Sequence, residues 1–189
     1  MKKFYLTAFA IVAAIFANAQ TELTFKPFKV DIALGYALPS GSGSKAGVLV
    51  AIEPKYALND NLTLGLRMET AVTAQGTVAN NEIKDGDVKA SGSYLATADY
   101  YFNTNRFRPF VGAGAGLYTN ASAELSEQTT SEDVQKARSF GFAPRAGFEF
   151  GHFRAAIEYN VAGKSGNLNH NYLGIKLGFF LGGGRYEQY

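Results

Sequence analysis

The chain has no cysteine among its 189 residues, so an exported form of it would hold together without disulfides and without thiolate metal sites. It has no tryptophan and only two histidines, His152 and His170, which leaves few candidates for acid-base or metal chemistry. A surplus of charge is missing too, since the formal net charge is only +2. Two of the basic residues, Lys2 and Lys3, belong to an N-terminal stretch of different character. Without them sixteen basic residues face sixteen acidic ones, so nothing pulls the chain onto nucleic acid. After that stretch no helical hydrophobic run is long enough to cross a bilayer, which takes about 20 residues.

The N-terminal stretch is itself informative. Lys2 and Lys3 precede an apolar run from Phe4 to Phe16, and Ala17, Asn18 and Ala19 follow it. A basic start, a short apolar middle and small residues at 17 and 19 describe a cleavable signal peptide, residues 1–19, with the mature domain spanning 20–189. An uncleaved helical anchor is the other reading. About 170 residues remain, enough for one domain.

In that mature part the dominant signal is a period of two. Phe28, Val30, Ile32, Leu34, Tyr36 and Leu38 alternate with Lys29, Asp31, Ala33, Gly35 and Ala37. Alternate side chains of a strand point to opposite faces, so this is a strand with one oily and one polar face. Eight such segments recur, near 28–38, 47–58, 62–73, 90–102, 107–118, 139–150, 153–161 and 171–181. Their links alternate in length. Asn59 to Asn61, Asn103 to Asn105 and Gly151 with His152 are tight; Ser40 to Ala46, Ala74 to Lys89, Thr119 to Arg138 and Ala162 to His170 are long. Short turns at one end and long loops at the other are the periplasmic and extracellular ends of an outer-membrane barrel.

The polar faces decide which side holds the oil. They carry Lys29, Asp31, Glu53, Lys55, Arg67, Glu69, Asp99, Arg108, Arg145, Glu149, Arg154, Glu158 and Lys176, spaced among glycines such as Gly65, Gly112, Gly114, Gly116 and Gly147. A soluble barrel would scatter its charges outward. Here near-balanced charges on one parity predict a filled lumen, with Glu53 beside Lys55 and Arg67 beside Glu69 neutralising each other. The apolar parity, including Tyr56 with Leu58 on the second segment, faces lipid. Its aromatics Phe28, Tyr36, Tyr56, Tyr100, Phe102, Phe107, Phe150, Phe153 and Tyr159 gather toward strand ends as a girdle. The fold class that follows is an all-β, eight-stranded, antiparallel up-and-down transmembrane β-barrel. Pro144 falls in mid-segment, where a bulge or a locally unpaired carbonyl is expected. Residues from Gly182 to Tyr189 leave the alternation and are expected to form a short periplasmic extension.

With these residues in view, the chain resembles the small outer-membrane β-barrels related to the OmpA transmembrane domain and OmpX. The segment from Arg108 to Gly116, which opens the fifth strand, and the glycine and aromatic closing strand from Gly174 to Phe180 carry the likeness. The resemblance implies an outer-membrane location, contact with lipid and lipopolysaccharide, folding by the barrel assembly machinery through a terminal aromatic such as Phe179 or Phe180, and a monomer. It implies no cofactor, no metal, no catalytic residue and no nucleic acid. The expected role is structural or surface interaction through the extracellular loops, Thr119 to Arg138 above all. A small-solute or hydrophobic-compound channel and a lipid-modifying enzyme are the alternatives, the latter resting only on His170 with Ser165. A soluble periplasmic barrel is a further alternative for the fold.

Overall fold

The computed structural model describes residues 23–40, 44–79, 82–123, 135–165 and 168–186. The expected signal peptide, residues 1–19, and residues 124–134 lie outside them. Ten strands follow in chain order: β1 (Phe28–Pro39), β2 (Ser44–Ala57), β3 (Leu62–Ala79), β4 (Glu82–Tyr101), β5 (Phe107–Ala123), β6 (Gln135–Phe150), β7 (Phe153–Asn160), β8 (Lys164–Ser165), β9 (Leu168–Asn169) and β10 (Tyr172–Gly182). Eight of them close an antiparallel barrel in the order β1-β10-β7-β6-β5-β4-β3-β2, while β8 and β9 form a small separate hairpin. Consecutive strands of the wall pair, β7 joining β10 across the small hairpin, and β1 meets β10 from Lys29 opposite Gly182 to Pro39 opposite Tyr172. Closure leaves no strand edge unpaired around the wall, the condition for burying a sheet in hydrocarbon.

The alternation is realised along the wall. Leu34 is 63% exposed and Phe140 74%, whereas Asp99 is fully buried and Arg67 is 1% exposed. The tight turns are built by local chemistry. Asn59 Oδ1 accepts hydrogen bonds from the backbone N–H of Asn61 and Leu62 at 2.9 and 2.7 Å, and Asn103 Oδ1 does the same for Asn105 at 3.0 Å. Between β6 and β7, Gly151 takes a φ of 61°, which a two-residue hairpin turn demands.

The strands depart from the sequence reading mainly at the loop end. The β3–β4 ladder continues to Ala79 opposite Glu82, so most of Ala74 to Lys89 is hairpin rather than loop. β5 pairs β6 as far as Ser122 opposite Gln135, which shortens the loop expected over Thr119 to Arg138. Leu58, read as lipid-facing, is buried, because β2 ends at Ala57 and the chain turns inward. Pro144 produces no bulge. The β6–β7 ladder runs from Phe150 to Arg145 and resumes at a single bridge, Phe142 to Val161, in unchanged register. The gap falls on Pro144 because it has no N–H to give the strand opposite. The described part of the tail, to Tyr186, lies against the N-terminal segment. Gly182 and Gly183 have φ of 78° and 64°, and this kink returns the chain to pair with the N-terminal segment, Lys26 N–H donating to Gly184 O at 2.8 Å and Tyr186 N–H to Thr24 O at 3.0 Å.

Candidate functional site

All thirteen charged residues of the polar parity are buried inside the barrel, seven basic and six acidic. Register places like charges side by side on neighbouring strands, Lys29 opposite Lys55 and Asp31 opposite Glu53. Such pairs repel. Neutralisation therefore comes chiefly from across the lumen. Arg145 on β6 forks onto Glu53 of β2 at 2.8 and 3.0 Å and donates through Nε to Asp99 of β4 at 2.7 Å. Lys55 Nζ lies 2.8 Å from Asp99 and 2.7 Å from Asp31, against 3.5 Å from its chain neighbour Glu53. Arg67 pairs with Glu158 of β7 and stands 3.8 Å from Glu69. The neighbour pairings expected from sequence are thus the longer contacts.

The charges fall into two connected clusters. Toward the turn end, Glu149 Oε1 accepts from Lys29, from the Tyr101 hydroxyl at 2.5 Å and from Arg154 at 2.8 Å; Arg154 also reaches Asp99 at 2.9 Å. Toward the loop end, Glu69 accepts from the Tyr172 hydroxyl at 2.6 Å and from Lys176 at 2.8 Å, and Lys176 lies 3.0 Å from Glu158. Arg67 donates to Ser93 at 3.1 Å and to Asn160 at 2.9 Å, where the Tyr118 hydroxyl also donates at 2.8 Å. Arg145, 3.7 Å from Glu158, joins the two clusters.

Different chemistry closes each end. At the turn end the Arg108 guanidinium lies 4.0 Å from the Phe25 ring and 4.2 Å from Tyr101, and donates to Asp60 O at 2.6 Å. Arg154 covers Phe110 at 3.8 Å. Toward the loop end apolar clusters enter, Ala37, Leu49, Ala71 and Tyr172 in one and Leu95, Tyr118, Ala143 and Ala162 in another, among the buried polar side chains of Ser93, Asn120 and Asn160. Between them a cavity walled by Asp31, Glu53, Arg145, Arg154 and Lys176 measures about 20 Å³, room for about one water molecule.

Sequence reasoning missed the lumenal tyrosines Tyr101, Tyr118 and Tyr172, the inward Phe110, Leu49 and Leu95, and the polar partners Ser93, Thr97 and Asn160. A signal for the rings existed: Phe110, Tyr118 and Tyr172 sit on the glycine parity of their strands, and Tyr101 on the parity of Asp99. A Cβ added to Gly141 would meet Tyr118 Cε2 at 2.8 Å, and one added to Gly147 would meet Phe110 Cε1 at 2.9 Å, so bare backbone opposite makes room for the ring. The nine girdle aromatics all face outward and are exposed. His152 lies in the β6–β7 turn and stacks on Phe180 at 5.2 Å, while His170 stands at the opposite end before β10. The two histidines cannot serve one site. The side chain of Ser165 lies outside the described ones.

A closed barrel that is apolar outside and ion-paired inside is the architecture of a transmembrane β-barrel, the reverse of a soluble one. The chain belongs to the outer membrane protein beta-barrel domain family, whose model matches residues 7–180. Among solved structures, Neisserial surface protein A is similar at 21% identity, covering 82% of this chain and 96% of that one with a TM-score of 0.59. The outer membrane protein OprG from Pseudomonas aeruginosa is similar at 14% identity, covering 85% and 98% with a TM-score of 0.53. Both show the same fold. No curated protein matches by sequence.

Proposed function

We propose that this protein is a plugged outer-membrane barrel that works at its loop end, as a structural or surface-interaction protein, and neither conducts solutes nor catalyses a reaction. The observation that carries the reading is the filled lumen: two joined ion clusters whose intervening cavity holds about one water, with apolar side chains such as Leu49 and Leu95 packed beside them. A second observation supports activity at the loops. β4 pairs β5 as far as Val88 opposite Ala123, and β5 and β6 rise together to Ser122 and Gln135, whereas β7 stops at Asn160 and β1 at Pro39. One side of the wall thus stands taller, and it carries the segment from Thr119 to Arg138.

The reading includes export through a cleaved signal peptide, insertion as a monomer by the barrel assembly machinery, an outer surface against lipid and lipopolysaccharide, and an extracellular partner for the loops. Purified, refolded protein in planar bilayers tests the plug. Current should stay at the bilayer baseline, and reproducible single-channel steps would overturn the plug in favour of a channel. Outer-membrane fractionation with a heat-dependent gel shift tests location, and recovery in the detergent-free periplasm would refute it. A changed lipid A profile in a deletion strain would bring back the enzyme.

A further inference from the structure

The turn-end mouth holds a cavity of about 260 Å³ that the plug does not use. It lies just below the range of pockets for drug-sized ligands, about 300–1,000 Å³, and suits a molecule of several heavy atoms. Its walls combine opposite charges. Arg106, Arg108 and Arg185 line it together with His152, the Phe25 ring and, from the lumen, Glu149.

Each group has a different amount of bonding left to give. Arg108 is committed: it pairs loosely with Glu149 and donates to the carbonyls of Asp60 and Asn103. Arg185 donates one N–H to Thr104 O and lies 5.4 Å from Phe25, leaving the rest of its fork exposed. Arg106 is exposed, lies 4.9 Å from the Phe150 ring, and its guanidinium has no hydrogen bond or ion pair among the described residues. Glu149 is the reverse. Its Oε1 accepts three hydrogen bonds, but its Oε2 is buried and accepts none, with Arg108 the nearest cation at 3.8 Å. A buried carboxylate oxygen without a donor is costly, and it is answered only by a group that brings hydrogens.

We propose that the turn-end mouth is a binding site for a small zwitterion, whose ammonium group donates to Glu149 Oε2 and whose phosphate or carboxylate lies against Arg106 and Arg185. A simple anion would bring its charge toward Glu149 without a hydrogen to offer. A simple cation would have to pass three guanidinium groups. Ammonium and anion on one short frame meet both demands. Two sources carry that chemistry, the phosphoethanolamine headgroup of a phospholipid and the backbone termini of a free amino acid or short peptide.

The test is titration calorimetry on the full mature barrel in a non-ionic detergent, with phosphoethanolamine and dialanine as probes and ethanolamine and inorganic phosphate as half-ligands. A zwitterion should bind at least about tenfold more tightly than either half, the effect of one retained charge-assisted hydrogen bond. Arg106→Ala and Arg185→Ala, both at exposed positions that leave the ion network intact, should each weaken it about tenfold, and Lys45→Ala at the loop end should change nothing. Glu149→Gln, checked for its heat-dependent gel shift, should lose the preference for zwitterion over phosphate. Binding of dialanine as well as phosphoethanolamine assigns a soluble ligand; binding of phosphoethanolamine alone, with Arg106 signals shifting in phosphatidylethanolamine but not phosphatidylglycerol nanodiscs, assigns the headgroup. Equal binding of phosphate and zwitterion, or binding indifferent to Arg106→Ala and Arg185→Ala, would overturn the proposal.

Discussion

Arg145 is the side chain on which the filled lumen most depends, and replacing it with methionine should measure what the network contributes. Methionine keeps much of the volume but removes three charge-assisted hydrogen bonds, two to Glu53 and one to Asp99, together with the link to Glu158. At about 1.5–3 kcal/mol each, the three bonds set an upper bound that relaxation and entering water will reduce. Removing one partner of a buried pair costs about 3–5 kcal/mol, and that is the expected loss here, because Glu53 keeps only Lys55 at 3.5 Å and the Thr97 hydroxyl at 2.5 Å. Arg145→Lys should cost about 2 kcal/mol, since the charge stays and the fork is lost. Combining Arg145→Met with Glu53→Gln should cost about 2 kcal/mol less than the two separately, as expected for groups in one network. Reversible urea unfolding in lipid vesicles, followed by far-ultraviolet circular dichroism and the heat-dependent gel shift, reads these values. A loss below about 1 kcal/mol for Arg145→Met at unchanged m-value, or strict additivity in the double variant, would refute the claim that cross-lumen pairing holds the interior.

Further outcomes follow from the same geometry. Gly112→Ala would set a Cβ 2.2 Å from Asp99 Oδ1 and 2.5 Å from Ala98 O and should cost about 1–3 kcal/mol, whereas Gly92→Ala, whose nearest atom is Thr119 O at 3.9 Å, should stay within about 0.5 kcal/mol; the same unfolding assay separates them. Leu34→Arg places a charge in the middle of the lipid-facing band and should cost about 2–4 kcal/mol, against about 1 or less for Leu38→Arg beyond Tyr36, as read in vesicles. Arg145→Met, although destabilised, should remain silent in planar bilayers, because Leu49, Leu95 and the remaining side chains still fill the lumen and Arg108 with Phe25 closes the turn end.

Period two is what made the barrel legible. Lys29 and Asp31 between Phe28, Val30 and Ile32 announce two unlike faces, and near-balanced charges on one parity tell which face is inside. The interior partners were not legible, because they are set by closure. Arg145 finds Glu53 only when β6 and β2 lie across a common lumen, whereas Glu53 and Lys55 share a strand face and were the natural guess. Strand ends at the loop side were hidden for another reason. Beyond the hydrocarbon both faces of a strand meet water, so the apolar half of the pattern lapses while the ladder continues, as in the hairpin ending at Ala79 and Glu82. Inward apolar residues such as Leu95 and Phe110 defeat the pattern outright, since a filled lumen accepts oil as readily as paired charge.

That mixture inside the barrel has a consequence for how the wall stays shut. The ion clusters run through the lumen beside the apolar side chains: Arg67 lies directly opposite Leu95 across the β3–β4 ladder, and Lys176 shares the Gly35 row with Leu49. Toward the loop end the buried apolar side chains Leu49, Leu95, Ala71 and Ala143 are interleaved with polar groups that are already paired, Asn120 with Ser91 and Tyr172 with Glu69. The buried pairs are thereby kept in a medium where their attraction is strong, and their attraction holds opposite walls of the barrel together. Apolar filling and ionic core depend on each other: without the apolar side chains the charges would hydrate and loosen, and without the charges the narrow interior that eight strands enclose would have far fewer bonds across it.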